Sequence, residues 1–173
     1  TPFGGMVKGA HRTMMRRVVK AKAKAKSPAV EEDFVRRVEP GLAYCARVGN
    51  IMGGTVFLNL LSTIAHGDFS TPRRIGVFSY GSGCCSGFYS GVATRGGQDR
   101  IRAAGIDKVL DERYRLSIEQ YLRLMKENDV IAFGTRNVEL QLDLVPEVLD
   151  SIRGTGRLVL ERIDEFHREY AWI

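Results

Sequence analysis

The stretch Arg74-Ile75-Gly76-Val77-Phe78-Ser79-Tyr80-Gly81-Ser82-Gly83-Cys84-Cys85-Ser86-Gly87-Phe88-Tyr89 constrains this chain more than any other. Ile75 to Phe78 is a short apolar run of the kind that forms a buried strand. It breaks at Gly81-Ser82-Gly83, and residues 88–94 then read as its antiparallel neighbour. Glycines on either side of a serine let the backbone turn tightly and let a substrate approach, because no Cβ stands in the way. A loop of that kind at the end of a buried strand is a place for an active site. The same residues also suit a hairpin whose glycines only make the turn.

The elements around this stretch follow from periodicity. A helix starts near Met6, where Met6, Ala10, Met14 and Val18 recur every fourth residue with Val7, Met15 and Val19 alongside. Lys8, Arg12, Arg16 and Lys20 line another face at the same spacing, and the alternating Lys-Ala run to Lys26 suits a solvated helix end. Ser27-Pro28 closes this helix and opens the next, and Glu39-Pro40-Gly41 stops that one. Residues 55–65 are apolar nearly all round, which predicts a central buried helix. Residues 98–128 read as short helices, the last with Ile118, Tyr121, Leu122 and Met125 on one face. Residues 129–145 promise little regular structure, and 158–170 alternate as one two-sided, charge-rich strand suited to an edge. Neither an internal repeat nor a linker is visible, so one domain or half-domain is expected.

Charge and cysteine usage narrow the function classes. The 173 residues are 44% hydrophobic and 27% charged, as for an ordinary globular domain. No uncharged apolar run approaches the roughly 20 residues that span a bilayer, and no short apolar segment with a cleavage site lies near the start. Cys45, Cys84 and Cys85 cannot all pair, and adjacent cysteines rarely pair with each other. His11, His66 and His167 are scattered and lack zinc-ligand spacing. The expectation is a reduced, cytoplasmic protein with no structural metal and no membrane partner. The net charge of +6 is local: residues 1–26 hold eight basic residues and no acid, while the remainder has 18 basic and 20 acidic residues. A partner-binding surface near the start follows. A nucleic-acid-binding module built on that segment fits less well, because its cations lie on one helix without interleaved aromatics.

Four segments, in order, carry a family resemblance: Thr1-Pro2-Phe3, Val48-Gly49-Asn50, Phe78-Ser79-Tyr80-Gly81-Ser82-Gly83 and Ile163-Asp164-Glu165-Phe166-His167-Arg168-Glu169-Tyr170. With them the chain resembles the C-terminal half of the 3-hydroxy-3-methylglutaryl-CoA synthase family. The resemblance implies an α/β, thiolase-like fold in which residues 1–173 are the C-terminal portion. One mixed sheet would hold the strands around 75–78, 88–94 and 158–170, with the 55–65 helix buried beneath it. Family enzymes use a cysteine, a glutamate and a histidine. The first two belong to an N-terminal half that this chain does not contain, and the histidine to the position just before the segment matched by Thr1. Alone the chain is expected not to run the reaction.

The resemblance also assigns roles. Asn50 matches an asparagine that contacts the thioester or acyl oxygen; a neutral amide can donate to an oxygen gaining negative charge. The same residue also suits a helix N-cap. Ser82 matches a serine beside the acetyl group, although it also suits a turn. Pro2, Phe3, Tyr80 and Gly81 are the further substrate-binding candidates, Tyr80 being equally plausible as core. Cys84 and Cys85 are expected to be structural, and His11 and His167 to be surface or structural residues.

Members that use coenzyme A carry lysines after the histidine motif, where this chain has Gly5 and Gly9. In this it is similar to the branch found in polyketide biosynthesis, which moves acetyl from a donor acyl carrier protein onto the β-ketone of a polyketide held by an acceptor carrier protein. Acetyl passes to the cysteine, the glutamate removes an α-proton, the enolate attacks the ketone, and hydrolysis frees the enzyme. The phosphopantetheine arm serves as substrate carrier and no cofactor is bound. Carrier proteins are acidic, so Lys8, Arg12, Arg16, Arg17 and Lys20 would suit docking, unless they are only a solvated helix face. A homodimer is implied. The alternative is a primary-metabolism synthase using acetyl-CoA and acetoacetyl-CoA.

Overall fold

The computed structural model describes residues 4–18, 27–81, 85–140 and 146–173. The chain forms two compact units, Thr1–Asp111 and Glu112–Ile173, where the sequence shows no linker. The first unit runs α1 (Gly4–Val18), α2 (Pro28–Arg37), a 3-10 turn (Glu39–Leu42), α3 (Ala43–Val48), α4 (Gly54–His66), β1 (Arg73–Gly81), β2 (Cys85–Ala93), α5 (Arg95–Ala103) and α6 (Ile106–Asp111). The second runs α7 (Ile118–Val130), β3 (Val138–Glu139), α8 (Pro146–Ile152), β4 (Leu158–Asp164) and β5 (His167–Trp172).

Helix α4 is the scaffold of the first unit. It packs against the 3-10 turn, α3, α5 and β1. At the 3-10 turn a Cβ on Gly41 would lie 2.6 Å from Thr63 Oγ1, so the backbone approaches α4 as only glycine allows. Ser62, fully buried, donates to the Pro40 carbonyl at 2.6 Å and accepts from the Tyr44 amide at 3.2 Å. That amide lies in the first turn of α3, where no intrahelical acceptor exists. At the other end Gln98 Nε2 donates to the Ile64 and Gly67 carbonyls, both at 2.8 Å, and Arg102 Nε donates to that of Ala65 at 2.9 Å. The Ile64 and Ala65 carbonyls in the last turn of α4 are thereby satisfied by α5. Ser62→Ala is expected to cost about 1–3 kcal/mol, the range for stranding buried polar partners, read as a lower midpoint of urea unfolding.

The burial of α4 differs from expectation. Its buried residues are Thr55, Ser62 and Ala65, while Phe57 is 59% exposed. The fully buried side carries small and polar side chains, while Val56, Leu58, Leu60, Leu61 and Ile64 are half-buried.

The strands form two antiparallel sheets among the described residues, rather than one mixed sheet. β1 pairs with β2 from Arg73↔Ala93 to Gly81↔Cys85, setting Phe78 opposite Phe88 and Val77 opposite Tyr89. This is the hairpin the glycines allow. Only Val77 and Ala93 in it are buried, and Phe88 is 73% exposed. The predicted terminal strand 158–170 is itself a hairpin: β4 pairs with β5, with β3 on the other side of β4. Its two turn residues, Glu165 (φ 45) and Phe166 (φ 69), lie in the left-handed region. Neither residue favours that region, so the pattern reads as continuous strand. The chain holds the turn from outside: Asn137 Oδ1 accepts from the Glu165 amide at 2.7 Å, the Arg136 carbonyl accepts from the Phe166 amide at 2.9 Å, and Arg136 pairs with the Glu165 carboxylate at 2.6 Å. The same clamp explains β3, in a segment expected to be irregular.

Candidate active site and basic face

Asn50 sits on the turn from α3 to α4. Gly49 (φ 86) ends α3 and Met52 (φ 54) adopts a left-handed conformation that a long side chain rarely takes. Backbone of this kind needs fixing by its neighbours. Asn50 Oδ1 accepts from the Met52 amide at 2.9 Å and from Thr55 Oγ1 at 3.1 Å, and Thr55 Oγ1 in turn accepts from the Ile51 amide at 3.0 Å. Thr55 is buried and Asn50 exposed. The residue preceding α4 is Gly53, without a side-chain cap, so Asn50 is not the N-cap. Its oxygen is consumed in an Asx-type turn. Its amide nitrogen meets only the Met52 sulfur, at 3.9 Å, among the described residues. The side chain is therefore held by its acceptor end and offers its donor end, the arrangement needed to meet a carbonyl oxygen gaining charge. Thr55 is the orienting residue that the sequence does not single out; its one signal is a hydroxyl in the first turn of the helix.

Tyr80 and Gly81 close β1, opposite Ser86 and Cys85, with the Tyr80 ring exposed rather than in the core. No hydrogen bond joins them to Asn50 among the described residues. Pro2, Phe3, Ser82, Cys84 and Lys20 lie outside the described residues. Cys85, at the start of β2, is exposed and not part of the core as a structural cysteine would be. Among the described residues no group of His, Cys, Asp and Glu is placed to hold a metal, and no helix is long and apolar enough to cross a membrane.

On α1 the buried residues are His11 and Met15, while the Met6, Met14 and Val18 stripe is exposed. The reason is α2. His11 Nε2 lies 2.8 Å from Asp33 Oδ2 and its ring stands edge-on to buried Phe34, so α2 claims that face. A shallow open groove runs along the outward face, lined by Gly9, Ala10, Thr13, Met14, Arg17 and Val18. The basic residues divide into two groups. Lys8 and Arg12 both meet Glu31 of α2, at 2.9 and 2.6 Å, and Lys8 Nζ also lies over the Phe34 ring. Arg16 has only a 3.5 Å bond to Thr13 Oγ1, and Arg17 has no carboxylate partner among the described residues. The guanidinium of Arg12, and then Lys8, hold the Glu31 carboxyl down at about 2.

Asp33 ties α1 to α2. Burial pushes its carboxyl up, but the bonds from Arg37, His11 and Arg36 outweigh this and hold it at about 2. A carboxyl lowered in the folded state stabilises above its ordinary value of 3.8 and loses that contribution as pH falls towards 2. The melting temperature should therefore drop between about pH 4 and 2, and Asp33→Asn should start lower at neutral pH and show a flatter profile there.

The family model described as Hydroxymethylglutaryl-coenzyme A synthase C terminal matches residues 10–172, and the chain belongs to that family. Its fold is the C-terminal half of the thiolase-like arrangement of these synthases. Over 173 residues it is 59% identical to the polyketide biosynthesis 3-hydroxy-3-methylglutaryl-ACP synthase PksG of Bacillus subtilis (strain 168), covering 100% of this chain and 40% of that protein. A solved structure of the curacin biosynthetic pathway HMG synthase in complex with acetyl donor-ACP matches with a TM-score of 0.91 and 60% identity, covering 100% of this chain and 41% of that one. The hydroxymethylglutaryl-CoA synthase of Enterococcus faecalis is 32% identical over 115 residues, covering 66% of this chain and 30% of that protein. The chain thus spans about two fifths of the length of PksG and of the curacin synthase.

Proposed function

We propose that these residues are the C-terminal portion of a β-branching synthase, an acyltransferase that condenses acetyl from a donor acyl carrier protein with the β-ketone of a polyketide on an acceptor carrier protein. The observation that carries this reading is the contrast in similarity. Identity of 59% to PksG holds over the whole chain, against 32% over 66% of it for a coenzyme A enzyme. The curacin synthase was solved with apo, acetyl and holo donor-ACP.

In this reading the cysteine, glutamate and histidine come from the remainder of the synthase. This chain supplies Asn50, whose amide donates to the thioester oxygen as the enolate forms, and Ser82, Pro2, Phe3, Tyr80 and Gly81 complete the pocket around the phosphopantetheine-borne acyl groups. That remainder also answers a physical need. A two-stranded ribbon exposing Phe78 and Phe88, and a helix exposing Phe57, are marginal alone. We infer that the N-terminal half covers these faces in a homodimeric enzyme, for which light scattering of the full-length protein should give twice the protomer mass.

The test is donor choice. The full-length synthase should take acetyl from an acetyl-carrier protein in preference to acetyl-CoA. A preference for acetyl-CoA would support the primary-metabolism reading. Gly5 and Gly9 argue against that outcome: both are on α1 and leave open space where coenzyme A-using members carry lysines. A nucleic-acid-binding role is disfavoured, since the clustered cations lie on one helix without interleaved aromatics.

A further inference from the structure

We propose that Glu31 is an internal counter-ion that restrains docking, occupying Lys8 and Arg12 until a strongly acidic carrier protein displaces it. This inference rests on the carrier-docking reading above. Its basis is the unequal state of the four described basic residues on α1. Glu31 reaches across from α2 to Arg12 Nε at 2.6 Å and Lys8 Nζ at 2.9 Å. Arg16 and Arg17, one turn further along, have no carboxylate among the described residues. All these side chains are open to water, Glu31 included at 30% exposure, so an incoming carboxylate can compete for the same donors.

Glu31 is not required to join the two helices. His11 and Asp33 meet nearby at 2.8 Å with Phe34 packed beneath, and both His11 and Phe34 are buried. What Glu31 changes is the charge presented. With it, the described part of the face offers two guanidinium groups without a carboxylate; without it, four cations stand along α1. A weakly acidic protein would gain little from Lys8 and Arg12, because exchanging one carboxylate for another releases almost nothing. A carrier with several clustered acids engages Arg16 and Arg17 first and then outcompetes a single glutamate. Glu31 thus favours partners by charge density.

The experiment is equilibrium binding of an acetyl-loaded acidic carrier protein to the full-length synthase at two ionic strengths. Glu31→Gln should tighten binding roughly two- to tenfold, the range for two exposed pairs released, and steepen the salt dependence. Adding Arg12→Gln should remove most of the gain. Arg16→Glu with Arg17→Glu is the reference arm. If that pair weakens binding while Glu31→Gln leaves it unchanged or weaker, the counter-ion inference is overturned and docking on α1 stands. A gain left undiminished by Arg12→Gln overturns it as well. If Arg16→Glu with Arg17→Glu has no effect, the docking reading itself fails. Should Glu31→Gln not fold, Lys8→Gln with Arg12→Gln must cost less affinity than Arg16→Gln with Arg17→Gln; an equal or larger loss overturns the proposal.

Discussion

Asn50→Ala is expected to slow condensation by the full-length synthase about a hundredfold, the usual loss on removing one donor to a developing oxyanion. The substitution also removes the acceptor for the Met52 amide and Thr55 hydroxyl, so local disorder could mimic a chemical effect. Asn50→Asp separates the two. A carboxylate keeps both acceptor bonds and the left-handed Met52, yet it takes away the N–H donor and places negative charge where the proposed enolate oxygen would sit. Both variants should therefore be impaired, Asn50→Asp at least as severely, with unfolding midpoint close to the parent for Asn50→Asp. Near-parent activity in Asn50→Asp would show that Asn50 only builds the turn.

Reversing Arg16 and Arg17 to Glu should lower turnover with acetyl-carrier protein roughly tenfold at low salt, because each change replaces an attraction by a repulsion at an exposed site. The defect should shrink above about 0.1 M salt, where exposed charges are screened. Acetyl-pantetheine, which carries no protein surface, should be used at the parent rate. Equal loss with both donors would mean that the arginines support folding instead. The pair differs from the whole basic face as the sequence presents it, since Lys8 and Arg12 are engaged by Glu31. Reversing Arg12 would break an internal pair as well as a docking contact, so its effect would be harder to read.

What is local in the chain is legible in the order of its residues. The α1 start, the opening of α2 at Ser27-Pro28, the α4 span and the β1–β2 pairing all depend on short-range propensity, glycine and proline. The short motifs also suffice to place the chain in its family, with Asn50 as a site candidate. Three features escape a sequence reading because distant residues impose them. The β4–β5 turn exists because Arg136 and Asn137 hold Glu165 and Phe166 in a conformation neither prefers. Which face of α1 is buried is decided by Asp33 and Phe34 on α2, which bury His11 and leave the more apolar Met6–Met14–Val18 stripe outside. The state of Asn50 is the third. Residue type says that it has an acceptor and a donor, and only the packing of Thr55 and the turn at Met52 decides which end is used and which is free. Propensity acts over a few residues, whereas hydrogen-bond partners and buried faces are chosen among groups that the chain brings together from afar.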